Sequence, residues 1–397
     1  MKATAQRLAP KNPNIRSILW LGAVFDEELV QNRRGLSPAA NRWQDRMITA
    51  LEACGVRVKM LSHIPEPGWP RGELLVRVPT PVSGGRHDLS LVPHLNIPGF
   101  RAYSICANYL VSLRKYLDKG PSPDLVVTYN TSAQAWRLGV LAKSLDIPWV
   151  AIIADVPSRF PYKQFHHFVA AAATGRVYLS WRESKLAIRG PSLHLDGGIT
   201  KAPGASSHRG HKHPAILYCG ALNRYGGALL LIQAFALVRD RNAELWICGK
   251  GESAELIAQA HGDKRIKFFG YVSDERLAEL SEQCWLFVNP RPSAIPDNRS
   301  NFPSKILSYL SYAKPVISTW TDGLCPEYND VLTVLEDETP ACLARTIEGV
   351  LSWNEIKYSI KADEIKTFVN GRSWQRQAVR LLDWASRECL SSAIRVV

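Results

Sequence analysis

Residues 288–319 read VNPRPSAIPDNRSNFPSKILSYLSYAKPVIST. The stretch divides into the end of a buried strand, a polar loop, a helix and a second buried strand. Strand-end loops of open α/β sheets are where ligands bind. This loop holds Asn289, Arg291, Arg299, Ser304 and Lys305, so it offers an anion both positive charge and hydrogen-bond donors. Phe302-Pro303-Ser304-Lys305 opens the helix. Proline fits a first helical turn, and the free N–H groups there, with the helix dipole, favour an anion. Ile306, Leu307, Tyr309 and Leu310 recur at helical spacing. Ala313-Lys314-Pro315 stops the helix, and Val316-Ile317 begins the next strand.

The same alternation extends in both directions. Upstream, strands are predicted at 215–219, 243–248, 266–269 and 285–288, with helices at 229–238, 253–261 and 273–283. The last of these is opened by an approximate capping box at Ser273. Downstream, a helix is predicted at 341–351 and an amphipathic helix at 374–389. Residues 200–214, TKAPGASSHRGHKHP, are small, polar and basic and read as a linker. Before the linker the pattern begins afresh. Strands are predicted at 17–25, 56–61, 74–78, 124–128, 149–153, 177–179 and 192–195, with helices at 39–53, 102–117 and 133–145. Strands alternating with helices imply largely parallel sheets covered on both faces. The expected fold class is α/β, with two doubly wound Rossmann-like domains: one over residues 1–199, one over 215–372.

At 397 residues the chain is long enough for two such cores. It is 46% hydrophobic and 21% charged, and no apolar run approaches the roughly 20 residues of a membrane span. The opening residues are basic without an apolar run behind them, so no signal peptide is expected. The net charge of +13 is uneven. Residues 1–200 hold 25 Lys/Arg against 14 Asp/Glu, and the remainder 24 against 22. A basic first half suggests an anionic partner. No nucleic-acid motif accompanies it, so the expected partner is an anionic membrane surface or a diphosphate-linked lipid, against the plainer reading of solubility charge. Eight scattered cysteines without a CxxC pair read as buried thiols in a cytoplasmic protein. Neither they nor His166-His167 suggest a metal site, and no cofactor is expected.

NPR, then FPSK, then LSYLSYAKPVIST resembles the donor-binding segment of GT-B glycosyltransferases of the bacterial polysaccharide-synthesis type (family 4-like, group 1). The likeness runs through residues 216–330 and, more weakly, over most of the chain. It implies two domains facing a cleft, with residues 373–397 packing back onto the first. It also implies a nucleoside-diphosphate sugar as donor and a saccharide or polyprenyl-diphosphate-linked acceptor. The activity would be a hexosyltransferase, retaining by resemblance alone, serving exopolysaccharide or capsule synthesis and peripheral at the inner membrane face. Arg291, Ser304 and Lys305 would hold the diphosphate.

Residues 216–227, ILYCGALNRYGG, run from a strand through a glycine-rich turn to a helix, where Gly220, Asn223 and Arg224 are donor-site candidates; a tight turn without a ligand is the alternative. The family often places Arg and Lys in this turn, at positions that look like Ala221 and Gly226. Gly249, Gly251 and Tyr271 would border the base by resemblance. Many retaining members carry two glutamates eight positions apart, and here Ser300 and Ser308 stand in those places. A serine hydroxyl at Ser308 still reaches a ribose but bonds more weakly than a carboxylate. In the first domain, Ser37 and Asn41 after the first strand and Asn130 after another are acceptor-side candidates, with helix capping as the alternative for Ser37. Asp155, at a further strand end, is either a catalytic base or a turn cap. Two other readings remain open. One is a sugar-nucleotide epimerase of the same architecture. The other is a degenerate binding partner, suggested by Ser300 and Ser308.

Overall fold

The computed structural model describes residues 14–26, 29–30, 36–78, 87–157, 159–186, 188, 190–202, 209, 213–251 and 262–390. The helix expected at 253–261 and most of the 200–214 linker lie outside these. The chain divides into two compact units, one of residues 1–198 with 374–397 and one of residues 199–373.

The first unit is built on a seven-stranded sheet. Its strands are β1 (Ser17–Leu21), β2 (Arg57–Ser62), β4 (Asp88–Leu91), β6 (Leu125–Tyr129), β7 (Trp149–Ile153), β8 (Gly175–Tyr178) and β9 (Ser192–His194). They lie in the order β4-β2-β1-β6-β7-β8-β9, and every pair is parallel. β3 (Leu75–Val76) and β5 (His94–Leu95) form a separate antiparallel pair. β1 and β7 are buried at every position, as a sheet covered on both faces requires. One face packs Trp20, Val127 and Ile152 against the helices Pro38–Ala53 and Trp374–Ala385. On the other face Leu19, Val126 and Ala151 meet the helices Arg101–Lys119, Ala133–Ser144 and Tyr162–Ala172.

The second unit holds β10 (Ala215–Cys219), β11 (Glu244–Cys248), β12 (Ile266–Gly270), β13 (Leu286–Asn289), β14 (Val316–Ser318) and β15 (Leu332–Val334). The order is β12-β11-β10-β13-β14-β15, again parallel throughout. Helices Ala228–Phe235 and Pro340–Leu351 cover one face through Leu231, Phe235, Leu343 and Ile347. The strand order reverses between β10 and β13, and such a reversal opens a crevice at the carboxyl ends of the two strands.

Two long helices, and the short ones Trp181–Ser184 and Pro296–Ser300, were not expected from the sequence. In Tyr162–Ala172 the buried residues are His166, Val169 and Ala170, while Phe165 and Phe168 are exposed. The apolar pattern therefore points away from the core. In Glu355–Gly371 the buried seam of Tyr358, Ala362, Ile365 and Val369 is masked by exposed Ile356 and Ile360. β4, which reads DLSL, has no fully buried residue to betray it. All eight cysteines are free thiols, and six are buried. Among the described residues no helix is long and apolar enough to cross a membrane.

Candidate functional site

The reversal between β10 and β13 brings two loops together. The first, residues 220–227, is held by its own side chains. The Tyr218 hydroxyl reaches the carbonyls of Ala221 (2.8 Å) and Gly226 (3.2 Å). Asn223 Oδ1 accepts from the N–H groups of Tyr225 (3.0 Å) and Gly226 (3.2 Å). Gly227 has φ +78°, and a Cβ there would lie 1.8 Å from the carbonyl oxygen of Pro290. That position needs glycine because the second loop passes directly over it. At Gly220 an added Cβ would come within 2.3 Å of Lys305 Nζ, so the bare backbone leaves room for that ammonium.

Lys305 starts a short helix, Lys305–Leu310, which is locked to the end of β10. Tyr309 Oη accepts from the Cys219 N–H (2.9 Å) and donates to the Cys219 carbonyl (2.9 Å). Its ring stacks on Phe287 with centroids 4.5 Å apart. This places Lys305 Nζ 4.5 Å from the Tyr218 ring centroid. Burial, with repulsion from Arg291, lowers the Lys305 ammonium to about 8. Among the described residues no carboxylate pairs with it. Desolvation disfavours the charged form, and an arriving anion would restore it.

Arg291 is oriented by a residue that no sequence signal marks. Its Nε donates to Asn298 Oδ1 (2.6 Å), and Asn298 Nδ2 donates to the carbonyls of Tyr225 and Pro292 (3.0 Å each). Asn298 is fully buried, so it ties both loops to one guanidinium. Thr319 Oγ1 fixes the Arg291 carbonyl (2.6 Å).

The other donor-side candidates fall into groups. Ser304 and Ser308 are exposed, at the start of the helix and one turn on. Arg224 is exposed and donates to the Tyr225 hydroxyl (2.8 Å). Tyr271 is exposed, with Lys250 Nζ 4.3 Å from its ring centroid. Gly249 and Gly251 lie against the first loop: added Cβ atoms would meet the carbonyls of Gly220 and Leu222 at 1.8 and 2.2 Å. Backbone packing alone accounts for these two glycines. Asn289 is the last residue of β13. It is fully buried, and its Nδ2 donates to Ser318 Oγ (2.9 Å) while its Oδ1 meets no hydrogen-bond partner.

In the first unit, Ser37 Oγ accepts from the Ala40 N–H (3.3 Å) and caps the helix Pro38–Ala53. Asn41 is buried and bonds Phe25 twice, accepting from its N–H (2.8 Å) and donating to its carbonyl (3.0 Å). Both ends of its amide hold the loop after β1, so the expected acceptor contact at Asn41 is corrected to a structural one. Asn130 takes a left-handed φ of +61°, and its Oδ1 accepts from Ala154 N–H (2.9 Å) and more weakly from Asp155 N–H (3.4 Å). It therefore fastens the end of β6 to the end of β7. Asp155 is exposed, and its charge, added to burial, pushes the Tyr129 phenol upward.

Residues 213–352 match the family model described as glycosyl transferases, group 1. No curated protein matches the sequence. Solved structures match over almost the whole chain. A glycosyltransferase from Rickettsia africae superposes with TM-score 0.69 at 15% identity, covering 97% of this chain and 100% of that one. Sucrose-phosphate synthase from Thermosynechococcus elongatus gives 0.66 at 14% identity, covering 94% and 98%. Anabaena HepE, solved with UDP and glucose, gives 0.62 at 15% identity, covering 95% and 100%. The chain has the GT-B fold and, through residues 213–352, is related to the group 1 sugar transferases.

Proposed function

We propose that this chain is a glycosyltransferase that binds a nucleoside-diphosphate sugar in the second unit and passes the sugar to a saccharide or lipid-linked acceptor. The observation that carries this reading is Lys305: a desolvated ammonium beside Arg291, without a carboxylate partner among the described residues, at the strand-order reversal. A diphosphate supplies the missing countercharge. As the sugar leaves, negative charge grows on the nucleoside diphosphate, and fixed cations at that point lower the barrier. Arg291, held by Asn298, adds a second cation whose position is set before the ligand arrives. Ser304 and Ser308 supply hydroxyls on the exposed side of the same helix. The Anabaena structure with UDP and glucose has the same fold and supports this class of donor.

A role in exopolysaccharide or capsule synthesis, and retention of anomeric configuration, rest on family resemblance. The anomer of the product decides the latter. Peripheral attachment to an anionic membrane is supported by the basic first half and by the helix Tyr162–Ala172, which exposes Phe165 and Phe168 beside Lys163. Ser308 favours a second reading, a nucleotide-binding protein without turnover, because the helix carries no carboxylate there.

The test is titration of the purified protein and its Lys305→Ala variant with UDP, GDP and ADP, followed by product analysis with the sugar nucleotide of the base that binds. Transfer to an added acceptor supports the first reading, and binding without turnover the second. Epimerised sugar nucleotide would replace both, and no binding of any nucleotide would overturn the proposal.

A further inference from the structure

The first two strands of the second unit each end on a cysteine, Cys219 in β10 and Cys248 in β11. Of the eight cysteines these two alone lie in strands. The strands run parallel, and their register sets Cys219 directly beside Cys248. Ile216 and Tyr218 face the same core as Leu245 and Ile247. Side chains alternate along a strand, so both thiols point to the opposite face. Neighbouring strands lie roughly 4.8 Å apart, within the about 4.4–6.8 Å between Cα atoms that a disulfide spans.

Access gives the two sulfurs different roles. Only Cys54 and Cys219 are partly exposed; the other six cysteines are buried. Cys54 is the C-cap of the helix Pro38–Ala53, and burial raises its thiol. Cys219 instead has a cation for a neighbour. Burial lowers the Lys305 ammonium, and the Cys219 thiol is what opposes that shift. A cation beside a thiol favours the thiolate, the form that attacks a peroxide. Cys248 is buried, which pushes its thiol up to about 12. Cys219 is thus the sulfur that meets an oxidant, and Cys248 the one placed to displace the oxygen.

The pair sits under the donor loops. Leu217 is in register with Phe287, so Phe287 shares the face of both thiols. Tyr309 stacks on Phe287 and bonds the N–H and the carbonyl of Cys219. The helix Lys305–Leu310 is therefore seated where the two sulfurs meet. Drawing them to roughly 2 Å apart disturbs that seat, and it removes the thiol that supports the Lys305 charge.

We propose that a hydroperoxide joins Cys219 and Cys248 in a cross-strand disulfide, and that this bond reversibly closes the donor loops to a nucleoside diphosphate. The closure rests on the transferase reading; formation of the bond does not. The Cys219 sulfur attacks one peroxide oxygen, an S–O bond forms as the O–O bond breaks, and the other oxygen departs with the thiol proton, as water when the oxidant is hydrogen peroxide. The Cys248 sulfur then attacks the Cys219 sulfur. The S–S bond forms, the S–O bond breaks, and hydroxide leaves with the Cys248 proton as water. Each sulfur gives up one electron, and the peroxide takes both. A dithiol reverses the change by exchange and becomes a disulfide itself.

The experiment treats the reduced full chain with hydrogen peroxide, alkylates it and maps it by non-reducing peptide mass spectrometry. UDP, GDP, ADP and inorganic pyrophosphate are titrated before oxidation, after it and after dithiothreitol. One Cys219–Cys248 linkage per chain is expected, with Cys54 alkylated. Affinity for the probes that bind should fall at least tenfold and return with dithiothreitol. Cys219→Ser should keep its own affinity through peroxide. Cys248→Ser should form no disulfide and leave Cys219 as a sulfenic acid that dimedone traps; Cys248→Ala serves if the serine variant unfolds. Cys54→Ser should respond to peroxide as wild type does. Absence of the linkage in folded, peroxide-treated wild type would overturn the proposal, as would an equal loss of affinity in Cys219→Ser. A linkage that leaves affinity unchanged would refute the closure. A reduced protein that forms the linkage but binds none of the four probes would sink the transferase reading, and the closure with it, while the disulfide stands.

Discussion

Lys305 makes the affinity for a nucleoside diphosphate depend on pH in a way that can be worked out. In the free protein its ammonium titrates near 8, against an ordinary 10.5. A bound diphosphate pairs with the charged form and raises it again. Between pH 8 and the raised value, binding takes up a proton and affinity falls as pH rises. From pH 7 to pH 9 the loss should be about tenfold, or about 1.4 kcal/mol. The stability of the free protein runs the other way. Because the folded-state value is lowered, the unfolded chain binds more protons between about 8 and 10.5, so stability rises with pH through that window. Calorimetric titration of the nucleotide from pH 7 to 9.5, in two buffers of different ionisation enthalpy, reads both the affinity and the proton count. Lys305→Arg keeps its charge throughout and should flatten the slope; any slope left in the variant measures other titrations, such as that of the base itself. Identical slopes in wild type and Lys305→Arg, with no proton uptake in either, would refute the placement of the diphosphate at Lys305.

Asn298→Ala should weaken nucleotide binding by roughly 1–2 kcal/mol through Arg291, and cost about 1–3 kcal/mol of stability by leaving the Tyr225 and Pro292 carbonyls unpaired; chemical denaturation and nucleotide titration separate the two effects. Tyr309→Phe removes both bonds to Cys219 and should lower stability by about 1–3 kcal/mol, read from the urea midpoint. Asp155→Asn should leave turnover of the folded protein nearly unchanged, as a turn residue would; a loss on the order of 100–10,000-fold with unchanged donor affinity would make it the base instead. Binding to anionic vesicles should fall with salt, exposed charges being screened within roughly 8–10 Å, and Phe165→Ser with Phe168→Ser should weaken it; equal binding to neutral vesicles would remove electrostatics as the cause.

The order of elements around residues 288–319 was legible because buried parallel strands are nearly uniform in apolarity. β13 and β14 are buried at every position and bracket the helix Lys305–Leu310 with its regular apolar face, while the short helix Pro296–Ser300 before it read as polar loop. Lys305 and Arg291 were legible as cations on strand-end loops. Asn298 was not: a buried amide reads like any loop asparagine until its three partners, one of them the distant backbone of Tyr225, are in place. Asn41 is the converse case, since sequence shows a polar residue near a strand end but not which way it points.

The helix Trp374–Ala385 belongs to the first unit although the whole second unit intervenes. Its Ala378, Leu381, Leu382 and Trp384 fill the same core as Trp20 and Met47. Trp43 meets Trp374 edge to face at 5.8 Å. On the ribosome, residues 199–373 therefore emerge before that core can close, and one face of the first sheet waits covered by Pro38–Ala53 but lacking its second helix. The nascent chain should need a chaperone for its first half rather than for its second. A stop codon just before Trp374 would leave a complete second unit tethered to an unfinished first one, so proteases should trim such a product from its amino-terminal side.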